Sequence, residues 1–241
     1  MLRSLLHGFQ DLVYPPLCIQ CRSSPLDDRP FAGLCPDCIR RIPLNNPPFC
    51  VTCGRHQDET YPPPRCRHCR EQPPAFDFAW GACRFTPYVR GLLHQFKFRQ
   101  RTYLRHAFVA RMLDYAAHYN LDIDQFDAVV PMPLAPARQR ERGYNQALLL
   151  AEPLARRFGK PLWRKVIVKS RMTAPQSSLG RKERFTNVRG AFRINPSERI
   201  SGANILIIDD LLTTGATAAS AAHAAKSAGA GTVAVLTLAI A

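Results

Sequence analysis

The chain has 241 residues, of which 46% are hydrophobic, so it is long enough for one sizeable packed domain plus a small one and is not a disordered protein. Its 33 lysines and arginines against 18 acidic residues give a formal net charge of +15, which favours polyanionic partners such as nucleic acid, nucleotides or anionic lipid. No apolar run approaches the ~20 residues that a membrane-spanning helix needs, so we expect a soluble protein.

The amino-terminal segment, residues 1–13, carries apolar residues at helical spacing and predicts a short amphipathic helix. This helix either packs on its own protein or docks to a membrane or partner. His7, Gln10 and Asp11 interrupt any signal-peptide core. Without an export signal, we expect a cytoplasmic protein.

Residues 14–75 are rich in proline and cysteine and lack regular periodicity, which predicts a small domain held by something other than a core. Eight cysteines form four Cys-x₂-Cys pairs, separated by thirteen residues in the first half and twelve in the second. In the cytoplasm such pairs favour metal ligation over disulfides, and two pairs complete a tetrahedral Zn²⁺ shell. We therefore predict two structural zinc sites in a double zinc ribbon, with the ligands Cys18, Cys21, Cys35, Cys38, Cys50, Cys53, Cys66 and Cys69.

The cysteine spacing leaves some points open. Free thiols or an iron–sulfur cluster are the alternatives to zinc, and the ligands can pair within each ribbon or cross between the two. His56 and His68 lie near the cysteines and can replace one of them, although we expect both to be exposed loop residues. Cys83 stands alone in an apolar segment, where we expect a small buried hydrophobe.

From residue 76 onward, predicted strands alternate with predicted helices, a pattern typical of a parallel sheet. The predicted strands are 78–85, 128–130, 166–168, 191–194, 205–208 and 233–238, and the helical patterns cover 88–119, 143–158 and 216–228. We therefore predict an α/β domain over residues 76–241, preceded by the amino-terminal helix and zinc ribbons over residues 1–75.

A basic cluster within the first helical pattern interleaves aromatic rings with cations, as surfaces that bind single-stranded nucleic acid do. Its cations are Lys97, Arg99, Arg101 and Arg105, and its rings are Phe96, Phe98 and Tyr103. The alternative is an amphipathic helix whose rings face the core and whose cations face solvent. The net charge favours a contact with nucleic acid, so we assign the four cations to a single-stranded DNA site.

A phosphate-binding segment follows the aliphatic run 205–208, which fits a central strand of a parallel sheet. Asp209 and Asp210 fall at its carboxyl end, where open α/β sheets bind ligands. Residues 213–217 then supply N–H groups and hydroxyls at the positive end of an alanine-rich helix. Paired acids suit vicinal hydroxyls beside a monophosphate, as in ribose 5-phosphate. The alternative is an ordinary strand-to-helix junction capped by threonine.

Two common nucleotide sites are not supported. The chain has neither a G-x-x-x-x-G-K-[ST] loop nor a G-x-G-x-x-G turn after a strand, which argues against ATP and NAD.

The segment 205–217, Ile-Leu-Ile-Ile-Asp-Asp-Leu-Leu-Thr-Thr-Gly-Ala-Thr, resembles the ribose-phosphate-binding signature of type I phosphoribosyltransferases. The resemblance implies that Asp209 and Asp210 hold the ribose hydroxyls of phosphoribosyl pyrophosphate and that Mg²⁺ bridges its pyrophosphate. It also implies that the 5-phosphate is held by Thr213, Thr214, Gly215, Ala216 and Thr217.

Two further segments resemble the ComF subfamily of that fold. The first is the strand and turn 129–134 followed by the basic stretch 138–146, and the second is 171–176 with Arg184, Asn187 and residues 190–192. With the cysteine-rich start, the resemblance spans nearly the whole chain. It implies a type I phosphoribosyltransferase-like fold and a role in DNA uptake during natural transformation.

The remaining basic clusters acquire roles from this resemblance. Arg138 and Arg142 follow the strand expected beside the ligand edge, so we expect them to neutralise the pyrophosphate. The third cluster, Lys169, Arg171, Arg181, Lys182, Arg184 and Arg189, looks like the hood that closes over type I phosphoribosyltransferase sites. The catalytic candidates are Asp209, Asp210, Arg171 and Arg184, the two arginines stabilising the departing anion.

Three functions follow as hypotheses. The first is a module that binds Mg²⁺·phosphoribosyl pyrophosphate and single-stranded DNA during DNA uptake, together with uptake or recombination proteins. The second is an active phosphoribosyltransferase of nucleotide metabolism or salvage, although the sequence offers no general base and no base-binding motif. A zinc-stabilised adaptor with a vestigial pocket is disfavoured, because Asp209, Asp210, Thr213 and Gly215 are all present.

Overall fold

The computed structural model describes residues 17–22, 33–57, 63–170 and 190–241. The predicted amino-terminal helix, Arg171 and Arg184 lie outside the described residues. The helices are α1 (Pro36–Arg40), α2 (Arg67–Glu71), α3 (Pro87–Phe98), α4 (Arg105–His118), α5 (Pro136–Arg142), α6 (Gln146–Arg157) and α7 (Ala216–Ser227). The strands are β1 (Phe78–Arg84), β2 (Ala128–Pro131), β3 (Ile167–Lys169), β4 (Phe192–Ile194), β5 (Ile205–Leu212) and β6 (Val233–Ile240).

The main sheet has four parallel strands in the order β1-β6-β5-β2, which confirms the predicted α/β architecture. All eight residues of β6 and the first four of β5 are buried, as expected for strands covered on both faces. β2 pairs directly with β5, so the basic helix α5 begins beside the edge that carries the acidic pair. Strands β3 and β4 form a separate two-stranded antiparallel sheet.

The predicted helix over 88–119 is in fact two helices, α3 and α4, whereas the predicted helix over 143–158 corresponds to α6 and is preceded by the separate helix α5. The pattern over 88–119 breaks where Gln100 adopts a φ of 54°, and a 3₁₀ turn, Thr102–Leu104, precedes α4. Near residue 143, Gly143 adopts a φ of 83° and ends α5, and the Asn145 side chain caps α6. The apolar residues of α3 and α4 enter one core, so their spacing continues across the break.

Strand β5 is longer than the sequence predicts. Its pairing with β6 continues to Leu212, so Asp209 and Asp210 lie within the strand rather than after it. β6 likewise extends to Ile240. The aspartates were expected after the strand because a charged pair normally marks the end of a buried run. Here the hydrogen-bonded pairing of β5 with β6 continues past them.

The segment that carries the zinc ribbons, called the ribbon segment below, covers the free edge of β1. The Asn45 N–H donates to the Ala82 carbonyl at 2.9 Å, and the Ala79 N–H donates to the Thr52 carbonyl at 2.8 Å. Gly54 allows this approach, because a Cβ atom there would lie 2.3 Å from the Ala79 carbonyl oxygen and its φ is +70°. An edge strand covered in this way is protected from pairing with other chains.

The ribbon segment and the sheet also share one hydrophobic core. Cys18, Leu34 and Ile42 belong to the same buried cluster as Phe108 and Leu236. The division of the chain at residues 75 and 76 stays a prediction. Among the described residues, no helix combines the length and apolarity needed to cross a bilayer.

Candidate ligand site and metal centres

The predicted phosphate loop lies between the end of β5 at Leu212 and the start of α7 at Ala216. Gly215 precedes the helix with a φ of 77°, a left-handed conformation that favours glycine. The Thr214 hydroxyl accepts a hydrogen bond from the Ala216 N–H at 3.4 Å. All five predicted loop residues, Thr213, Thr214, Gly215, Ala216 and Thr217, line one hollow together with Asp209. The first turn of a 12-residue helix therefore shares this hollow with Asp209, and a helix amino terminus suits an anion.

The two acids of β5 have different surroundings. Asp210 is 3% exposed, and its Oδ2 lies 2.9 Å from the Nζ of Lys97 on α3. Asp209 is half-buried, and its Oδ1 accepts a hydrogen bond from the Asp210 N–H at 2.8 Å. Burial, with the neighbouring Asp210 carboxylate, raises the pKa of Asp209 to about 7, although Lys97 and Lys169 act in the opposite direction. Asp209 therefore exchanges its proton near neutral pH.

The structure separates Lys97 from the other cations assigned to DNA. Only 20% of its side chain is exposed, and it faces Asp210. Arg99 and Arg101 are exposed, whereas Arg105 is half-buried. Phe96 is fully buried, as the amphipathic-helix interpretation expects, and the single-stranded DNA interpretation stays a prediction for the exposed residues. Phe98, two residues further along the chain, is a large apolar residue that is 62% exposed.

Arg138 and Arg142, the cations expected at the pyrophosphate, lie in different surroundings. The Arg142 guanidinium lies 5.1 Å from the centre of the Phe98 ring and donates a hydrogen bond to the Gln146 side chain, so Arg142 contacts the aromatic surface. Arg138 instead lies close enough to Lys169 to act on its charge: burial, and then Arg138, lowers the pKa of Lys169, while Asp209 raises it. Lys169 in turn acts on the charge of Asp209, whose pKa it lowers.

Lys169 was placed from the sequence in the cluster that looks like the hood, but was not named among the residues that hold the ligand. It lies on β3, a strand outside the main sheet, and its Nζ is 5.3 Å from the centre of the Phe192 ring. Its place in a run of basic residues is the only sequence signal, and that signal does not distinguish it from its neighbours.

The cysteines form two clusters that follow the sequence order. In each cluster all four Sγ atoms lie within 4.8 Å of one another, which settles the pairing as Cys18/Cys21 with Cys35/Cys38 and Cys50/Cys53 with Cys66/Cys69. In the second cluster, hydrogen bonding to Cys50 raises the pKa of the Cys69 thiol, so the four thiols do not all ionise without a cation. Four thiolates around one point are the ligand set of a closed structural Zn²⁺ site, and the two predicted Cys₄ clusters are confirmed, with the grouping that the sequence left open.

The second cysteine cluster lies directly behind the phosphate loop. Arg55 Nη2 donates to the Thr213 carbonyl at 2.5 Å, and His68 Nε2 lies 3.0 Å from the Thr214 carbonyl, so that nitrogen is the donor. His68 is therefore a half-buried residue of α2 and not the exposed loop residue that we expected. Sequence reasoning missed both contacts, because they join positions 158 and 146 residues apart. Cys83 is fully buried, as predicted.

The parallel sheet and the paired Cys₄ clusters define an α/β protein that carries a double zinc ribbon. Residues 9–70 match the family model described as "Double zinc ribbon domain". The chain is 32% identical to DNA utilization protein YhgH of Salmonella typhimurium over 226 residues, covering 93% of this chain and 96% of that protein. It is 29% identical to Competence protein F of Haemophilus influenzae, covering 83% and 86%. The chain belongs to this family of ComF-like competence and DNA utilization proteins.

Solved structures with a similar fold include phosphoribosyltransferases. Adenine phosphoribosyltransferase from Saccharomyces cerevisiae is 16% identical, with a TM-score of 0.37, over 60% of this chain and 72% of that one. Hypoxanthine phosphoribosyltransferase from Trypanosoma cruzi is 14% identical, with a TM-score of 0.31, over 59% and 72%. At these TM-scores the fold assignment rests on the strand order and pairing described above.

Metal analysis tests the two clusters. We expect about two Zn²⁺ per chain after purification without chelator, and about one in a Cys50→Ser variant, because a site with three thiolates holds the ion less firmly. Cys83→Ala is the matched control and keeps both ions, since Cys83 lies outside both clusters. Iron in place of zinc, or unchanged zinc in Cys50→Ser, would contradict the assignment.

Proposed function

We propose that the protein binds Mg²⁺·phosphoribosyl pyrophosphate at the edge of β5 and single-stranded DNA on the adjoining basic surface, and that it serves DNA uptake or utilisation in the cytoplasm. The observation that carries this proposal is that Asp209 and the loop at the start of α7 line one hollow. A carboxylate pair accepts hydrogen bonds from hydroxyls, and a helix amino terminus holds a phosphate, so one ligand with both groups satisfies the site.

The ligand's parts can be matched to the residues present. Backbone N–H groups of residues 213–217 would hold the 5-phosphate, and Asp209 and Asp210 would accept the ribose hydroxyls. Lys169 on β3 acts on the charge of Asp209, and Arg138 on α5 acts on that of Lys169, so both would supply positive charge towards the pyrophosphate. Mg²⁺, when bound with the ligand, neutralises the charge of the pyrophosphate. Lys97 balances the buried Asp210 carboxylate, so it serves the ligand site rather than the DNA surface.

The DNA part of the proposal rests on the relatives and on one surface. Relatives named for competence and for DNA utilization match most of the chain. Arg99 and Arg101 are exposed and follow the exposed Phe98 closely in the chain, so the segment combines cations that can bind phosphates with a ring on which a base can stack. Uptake or recombination proteins are the partners that this role implies.

Phosphoribosyl transfer is the second candidate function. It is favoured by the influence of Lys169 on the charge of Asp209, because a cation at this edge stabilises a departing pyrophosphate. Release of pyrophosphate in the presence of a nucleobase or another acceptor distinguishes this function from binding alone.

Replacing one acid tests the ligand site. We expect Asp209→Asn to weaken binding of Mg²⁺·phosphoribosyl pyrophosphate about tenfold or more, because a hydrogen bond to a charged group contributes about 1.5–3 kcal/mol. Isothermal titration calorimetry measures the change. Asp122→Asn removes the same charge from an exposed position and is the control. Equal affinity in Asp209→Asn and Asp122→Asn would count against the proposal.

The raised pKa of Asp209 predicts a pH dependence. Below about pH 7 the side chain is largely protonated and loses its charge as an acceptor, so the affinity should rise as the pH increases from 6 to 8. The ligand's own phosphates titrate in this range, so the test is the difference between the wild type and Asp209→Asn. We expect the slope to be shallower in Asp209→Asn; identical slopes would show that Asp209 does not control binding.

Charge reversal tests the DNA surface. We expect Arg99→Glu with Arg101→Glu to weaken binding of a fluorescent oligonucleotide and to reduce the slope of log K against log salt by about 1.4, if each arginine contacts one phosphate of a single strand. Arg156→Glu with Arg157→Glu makes the same charge change at exposed positions on α6 and is the control. Equal losses in the two double variants would reduce the effect to net charge and remove this surface from the proposal.

A further inference from the structure

The second cysteine cluster and the phosphate loop face each other across a shallow hollow, lined by Cys53, Cys69, Arg55 and His68 on one side and by residues 212–215 on the other. We propose that this zinc ribbon orients the loop of the phosphate site. Arg55 and His68 are the positioning residues, which fix the loop through its carbonyl groups. The inference rests on the proposed function, because it concerns how the same loop receives a phosphate.

The two contacts determine the direction of the loop's donors. Arg55 binds the carbonyl of Thr213, and His68 binds the carbonyl of Thr214. In a planar trans peptide the N–H group points away from the carbonyl of the same unit. Holding these carbonyls towards the ribbon therefore turns the N–H groups of Thr214 and Gly215 away from it. Both residues also line the hollow beside Asp209, where the 5-phosphate is proposed to bind.

The metal cluster positions both donors. Arg55 follows Cys53 and Gly54 in the knuckle, and its own carbonyl accepts a hydrogen bond from the Cys50 N–H at 2.9 Å. His68 lies on α2 between Cys66 and Cys69. Each donor is thus within two residues of a predicted zinc ligand. The metal-bound turns therefore hold both donors in place against the carbonyl groups of the loop. Residues that orient others in this way commonly alter binding without touching the ligand.

The first cysteine cluster has a different setting. It packs into the core with Leu34 and Ile42, and the Tyr88 hydroxyl on α3 donates to the Cys38 carbonyl at 2.9 Å. The two clusters are similar in sequence spacing, yet they meet different parts of the fold. Their contributions should therefore differ: the first stabilises packing on α3, and the second shapes the phosphate loop.

The test compares the affinity of the full-length, zinc-loaded protein for Mg²⁺·phosphoribosyl pyrophosphate and for ribose 5-phosphate. We expect Arg55→Ala and His68→Ala each to weaken both ligands roughly five- to tenfold, the effect of one lost hydrogen bond. Zinc should stay at the wild-type content. Arg55→Lys and His68→Gln keep a donor at about the same reach, so they should recover most of the affinity. A purely structural role does not predict that recovery.

Arg70→Ala is the matched control, because Arg70 is an exposed arginine on α2 next to Cys69. If Arg55→Ala loses zinc, the affinity of Arg55→Met is measured in its place, since that variant keeps the length of the side chain and removes only the donors. Wild-type affinity in zinc-loaded Arg55→Ala, Arg55→Met and His68→Ala would overturn this inference while leaving the proposed function intact. A wild-type protein that binds neither ligand would instead overturn the proposed function.

Discussion

Two adjacent carboxylates in a largely buried strand are the constraint around which the site is built. Asp209 and Asp210 repel each other, and burial further disfavours their charge, as the raised pKa of Asp209 shows. The fold supplies the compensating positive charge from separate elements: Lys97 comes from α3, Lys169 from β3, and the amino terminus of α7 from the chain that follows β5. The proposed ligand, a phosphorylated sugar, would donate hydrogen bonds from its hydroxyl groups to the carboxylates and place its phosphate at the amino terminus of α7.

The strand order explains how these elements meet. β5 lies inside the sheet, between β6 and β2, so the segments that follow the parallel strands gather at one edge. On the far side of the sheet, the ribbon segment covers β1, and Gly54 permits the close backbone contact. The zinc clusters therefore do more than hold a proline-rich segment together: they cover the exposed sheet edge, extend the core and place Arg55 and His68 against the loop.

Features encoded by local patterns could be predicted from the sequence. The Cys-x₂-Cys pairs predicted the two cysteine clusters, the buried aliphatic runs predicted β5 and β6, and the Asp-Asp and Thr-Thr-Gly residues indicated the strand end where Asp209 and the loop line one hollow. Features that depend on distant contacts could not be predicted. Lys97 belongs to a basic run, and only the packing of α3 shows that it pairs with Asp210. The contacts of Arg55 and His68 were missed for the same reason, and the break at Gln100 was missed because backbone conformation does not alter apolar spacing.

A crystal structure with Mg²⁺ and phosphoribosyl pyrophosphate is the most direct test of the central claim that a sugar phosphate binds between the acidic pair and the start of α7. The account predicts the 5-phosphate against the N–H groups of residues 213–217 and the ribose hydroxyls on Asp209 and Asp210. A ligand bound elsewhere, or none at this edge with millimolar ligand in the crystal, would contradict the account.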